Sequence, residues 1–138
     1  MPIVLTSHTN ANYVADHLSE ECPALHDMER DDLQEMVYEA AYHSPLSYCI
    51  EANGVPVALF GADGDPGDAW GSAWFFYTND VKNASIKFEL IRSIKLACQY
   101  SRTLWPELRI IPETRTPFQD KFVRAIGFEK GPEGEYVL

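Results

Sequence analysis

No stretch of the 138-residue chain approaches the roughly 18 apolar residues of a membrane helix. The opening MPIVLTSHTN lacks a basic segment followed by an apolar one. No signal peptide is therefore expected, and no membrane partner. Bases are scarce at the front: residues 1–70 hold 13 acids and a single base, Arg30. Phosphate contact needs clustered Lys and Arg, so a nucleic-acid partner is not expected either. Cysteine is sparse. Cys22, Cys49 and Cys98 are odd in number, far apart and outside any CxxC pair, which argues against a zinc ribbon or a disulfide framework. His8, His17, His26 and His43 show no HExxH spacing, and no metal site is expected. Glycine is missing from one stretch where it would matter. FFYTNDVKNASIKF, residues 75–88, joins an apolar run to a helix-like run without one.

What is present is ordinary for a globular chain: 46% hydrophobic and 23% charged residues, enough for one compact domain over residues 1–138. The net charge of −10 is unevenly placed, at −12 over residues 1–70 and +2 over residues 71–138. The acidic half reads either as a solvated surface or as a face that meets a basic partner protein.

Hydrophobic spacing gives the element order. Val14 and Leu18 stand at i, i+4 within Ala11 to Glu21, which predicts a short helix closed by Pro23. Asp32-Leu33-Gln34-Glu35 fits a capping box for a second helix, buried through Leu33, Met36, Val37, Ala40 and Ala41 and stopped at Ser44-Pro45. Ser47 to Ala52 and Val55 to Phe60 predict strands around an Asn53-Gly54 hairpin turn. Residues 61–71 read as a mobile Gly/Asp/Pro loop. Ser72 to Thr78, apolar at nearly every position, predicts a central strand buried on both faces. A long helix is expected from Asp80 to Arg102, with Ile86, Leu90, Ile91, Ile94, Ala97 and Cys98 inward. Leu108 to Ile111 is a short strand, parallel to the central one across that helix. Thr116 to Gln119 is a capping box whose helix carries Phe118, Phe122, Ala125 and Ile126 and ends at Gly127. Glu135 to Leu138 is a last edge strand. The fold class is α/β (α+β mixed), in the order α-α-β-β-β-α-β-α-β, with a mixed central sheet flanked by helices.

That order, closed by FVRAIGFEKGPEGEYVL, resembles the GNAT N-acetyltransferase fold. The blocks GVPVALFG, AWFFYTND, TLWPEL and FVRAIGF resemble the small GNAT-like proteins of short-tailed lytic bacteriophages, which include internal virion proteins. The resemblance implies acetyl-CoA as cofactor and the turn at Thr78 to Ser85 as its pyrophosphate cradle. Cradles of that family carry a Q/R-x-x-G-x-G/A pattern, in which glycines let the backbone approach the phosphates while free helix N–H groups point at them. Here Thr78, Asn79 and Asp80 can cap those N–H groups themselves. If acetyl-CoA binds, the resemblance assigns it to Phe76, Tyr77, Thr78, Lys82, Asn83 and Ser85. The family's general-acid tyrosine position is occupied by Val123, and its opening asparagine by Thr116.

Catalytic candidates are correspondingly thin. Glu51 or Asp80 could serve as a base beside an amine, and Tyr77 or Tyr100 supplies a phenol near the expected cleft. The more ordinary reading of each carboxylate is a surface group. Cys98 sits in an apolar stripe where a thiol is inert. The aromatic cluster from Trp74 to Tyr77 reads as core, whereas Trp70 in its loop suits a partner contact. The favoured function is a phage-encoded GNAT-like protein with a degenerate acetyltransferase site, needing no cofactor and acting through a phage or host protein. Its expected setting is the host cytoplasm or the virion, as a monomer or homodimer. The alternatives are an active acetyl-CoA-dependent N-acetyltransferase and an acidic inhibitor of a basic host protein.

Overall fold

A computed structural model describes residues 3–21, 27–110 and 116–138. Cys22, Pro23, His26 and Ile111, invoked above, lie outside them. Seven strands form one mixed sheet in the order β1-β2-β3-β4-β5-β7-β6. They are β1 (Ile3–Leu5), β2 (Leu46–Ala52), β3 (Val55–Asp63), β4 (Gly71–Tyr77), β5 (Leu108–Ile110), β6 (Glu129–Lys130) and β7 (Tyr136–Val137). Helices α1 (His8–Asp16) and α2 (Arg30–His43) precede β2. Helix α3 (Ala84–Ser101) crosses from β4 to β5, and α4 (Pro117–Ile126) follows β5. Among the described residues only the β4–β5 pair is parallel, as the crossover predicted. Strands β1 and β6 were not expected, and both lie at the sheet's edges. The last strand, β7, is therefore not an edge but sits between β5 and β6.

Local chemistry sets most boundaries. Asn53 and Gly54 both take positive φ, 53° and 77°, as a two-residue hairpin turn requires. Pro56, which cannot donate to a ladder, faces Glu51 where the β2–β3 register slips. Thr116 caps α4 with the reciprocal Gln119 bond, and Gly127 closes it at φ 122°. Helix α1 begins earlier than the spacing suggested. Ser7 and Asn10 cap it reciprocally, and it stops at Asp16 instead of Glu21. Helix α2 also starts early. Glu29 precedes it without a side-chain cap, so the Asp32 box does not form, and Asp31 and Asp32 lie within the first turn. There they face the positive end of the helix dipole. Arg30 reaches back to both oxygens of Asp16, at 2.9 Å each, tying α2 to α1. That hydrogen bond, more than the added charge, holds the Asp16 carboxyl below its usual range.

The core lies on both faces of the sheet. Phe75 and Tyr77 share one face, where they meet Phe118 and Phe122 of α4. Phe76 and Trp74 share the other, and the Trp74 indole donates to Ser44 just beyond α2. Residues 61–71 are not a free loop. Strand β3 runs on to Asp63. Trp105, fully buried, donates its indole N–H to the Asp65 carbonyl at 3.0 Å, and Gly67 N–H donates to the Leu104 carbonyl at 3.0 Å. Gly71 must be glycine for this: an added Cβ would lie 2.6 Å from the Trp105 ring. Ala125, expected inward on α4, is exposed.

Candidate functional site

The stretch after β4 does not start a helix at Asp80. Asn79–Lys82 forms a 3-10 turn, and α3 begins only at Ala84. Two caps divide the work. Thr78 Oγ1 accepts from Asp80 N–H at 3.3 Å. Asn83 Oδ1 accepts from Ser85 N–H at 3.0 Å and from Ile86 N–H at 3.2 Å. The donors that an anion would meet first at this helix start therefore already point at a side-chain oxygen.

The connector after α1 docks on the same turn. Leu18 forms a bridge with Thr78, and Ser19 N–H donates to the Tyr77 carbonyl at 2.8 Å. Asn79 Oδ1 accepts from the Ser19 hydroxyl at 2.8 Å and from Glu20 N–H at 3.3 Å. Lys82 pairs with Glu20 and, at 3.5 Å, with Glu21. The Glu20 carboxylate raises the Lys82 pKa above its usual value. Sequence reading missed Ser19, Glu20 and Glu21. Some 60 residues separate them from Asn79 and Lys82, and no motif links the two stretches.

The other predicted residues scatter. Phe76 and Tyr77 point to opposite faces and cannot line one cradle together. Tyr77 is a core residue, 4% exposed with a buried hydroxyl, and its ring lies 5.7 Å from that of Phe122. Tyr100 is exposed near the far end of α3, about 24 Å along the helix from Ala84 at 1.5 Å per residue. It is not near the turn. Glu51 is half-buried on β2, at the same end of the sheet as the turn. Asp80 is exposed, and among the described residues no hydrogen bond or ion pair joins the two. Val123 is buried. Lys87 stands over the Phe118 ring at 5.8 Å. Trp70, 37% exposed, has the Arg109 guanidinium over its ring at 5.1 Å. It belongs to a cleft of ≈ 460 Å³ with Asp63 and Asp68, at the opposite end of β4. Among the described residues no three His, Cys, Asp or Glu side chains gather as metal ligands, and no helix is long and apolar enough to cross a membrane.

No family model matches the chain, and no curated protein sequence does. Solved structures do match. The acetyltransferase (GNAT family) from Bacillus anthracis superposes over 98% of this chain and 90% of its own, with a TM-score of 0.65 and 10% identity. The chain has the GNAT acetyltransferase fold. PH1933 from Pyrococcus horikoshii OT3 covers 99% of this chain and 96% of its own, at a TM-score of 0.73 and 12% identity. The aminoglycoside acetyltransferase AAC(6')-Ib, solved in complex with coenzyme A, covers 99% and 92% at a TM-score of 0.66 and 15% identity. At these identities the likeness is one of fold.

Proposed function

We propose that this chain keeps the GNAT scaffold with its pyrophosphate cradle closed by its own side chains, and acts through its surface on a protein partner. One observation carries the reading. The α3 N-terminal donors are bonded to Asn83, and Lys82, the cation of the turn, is paired with Glu20 and Glu21. A pyrophosphate arriving there would have to displace Asn83 and would meet three carboxylates, Glu20, Glu21 and Asp80. Val123 at the general-acid position supports the same reading, because it has no proton to give a leaving thiolate. The residues present do not fit coenzyme A as a tightly held group. A phage setting, with a virion or host protein as partner, is the part of the proposal supported by the sequence blocks alone. An acidic inhibitor of a basic host protein is a rival non-enzyme reading, marked by partner capture that fades steeply with salt.

The second reading is an acetyl-CoA-dependent N-acetyltransferase. It is favoured by the coenzyme A held in a structure of the same fold. Calorimetric titration with acetyl-CoA and with coenzyme A separates the two. No heat up to millimolar cofactor is expected. Micromolar binding, weakened by Lys82→Glu, would overturn the proposal and call for an amine acceptor screen.

A further inference from the structure

Helix α3 leaves an outer stripe uncovered. Phe88, Leu96 and Tyr100 are 65%, 61% and 59% exposed, and their spacing of eight and four residues puts them on one side. Arg92 and Lys95 stand among them, exposed and without an ion-pair partner among the described residues. A stripe of exposed apolar side chains threaded with two cations, with the single carboxylate of Glu89 on the same side, marks a contact surface more than a solvated one. Helix α2 carries the complement. Asp31, Asp32 and Glu35 are exposed on it and likewise without an ion-pair partner among the described residues, and half-exposed Tyr42 ends the same side.

The two helices lie on opposite faces of the sheet. Ser44, just beyond α2, receives the Trp74 indole on one face. Tyr100 lies close enough to Tyr48 to help raise its pKa, after burial. Tyr48 is registered with Phe60, and Phe60 with Phe75, on the other face. We propose that the chain binds a second copy of itself head to tail, with the Phe88–Tyr100 stripe of one copy on the acidic side of α2 of the next.

Such a contact is heterologous. It repeats into a ring or an open stack and does not stop at a two-fold dimer. The net charge of −10 does not forbid it. At 0.15 M salt the screening length is about 8 Å, so the charges in contact count and distant ones are muted. Two crossing helices bury less than the ~800 Å² per partner of a standard interface, so the association is weak and concentration-dependent. Nothing in it depends on whether coenzyme A binds.

Sedimentation velocity across a concentration series at about 0.15 M salt tests it. The parent chain should grow beyond a dimer, and should shrink towards monomer near 1 M salt as the charge pairs are screened. Arg92→Glu/Lys95→Glu spoils one face, and Asp32→Asn/Glu35→Gln neutralises the other, so that the two altered faces do not complement each other. Each variant alone should lose at least tenfold in self-association. Mixed together, each still offers one intact face, and the pair should form a 1:1 complex that grows no further. A parent that stays monomeric throughout, a variant that assembles like the parent, or a mixture that stays monomeric would each overturn the proposal. A dimer paired through the β1 edge would ignore both sets of charges and would overturn it too.

Discussion

Cys49 and Cys98 are 0% and 2% exposed, and burial pushes both thiols up to about 12. Near Cys49 the Glu51 charge adds to the rise, while Arg102 works slightly against it at Cys98. The inertness of both was legible, because each sits in an apolar run. Its pH consequence has a definite sign. The unfolded thiols lose their protons near 9 and the folded ones hold them to about 12. Stability from this source is complete below pH 9 and falls as pH rises towards 12. Urea midpoints measured from pH 8 to 11 should decline, and Cys98→Ala should flatten part of the decline relative to the parent. An identical slope in the variant would refute the assignment. Other residue roles were less legible. Tyr100 was read as a phenol near the cleft, although the helix expected from Asp80 to Arg102 itself carries it a helix length from the turn.

At the scale of elements, the signals that worked were those contained within four or five residues. Asn53-Gly54 and the Thr116 box act on their own backbone, and both stand where the sequence placed them. The entry to α3 did not follow its local signals. Asp80 is a good cap by type, but Asn79 is held from across the fold by Ser19 and Glu20. The chain therefore makes a 3-10 turn first and spends Asn83 as the true cap. Asn83→Ala should cost about 1 kcal/mol in urea unfolding, because two helix N–H groups lose their acceptor. Asp80→Ala should change stability by less than about 0.5 kcal/mol, as an exposed residue outside that cap. The reverse order of effects would return the helix start to Asp80.

Across the whole molecule the sheet sets the hierarchy of stability. Strand β3 is bonded on both sides, by β2 and β4, whereas β1 and β6 each have one neighbour. Hydrogen exchange should be slowest in β3 and fastest in β1 and β6. Protection of β1 equal to that of β3 would mean that the edge is covered in solution. By itself the sequence determined the class of fold, the central strand, the crossover and the lack of a glycine-rich cradle. Those follow from hydrophobic period and turn chemistry, which act over a few residues and are written in order along the chain. Only the tertiary structure decided what became of the turn after β4. Asn83 closes its helix donors locally, but whether its lysine stands free depends on Glu20 and Glu21, brought beside Lys82 by the docking of Leu18 on Thr78. Contacts across 60 residues are made by packing and leave no period to read.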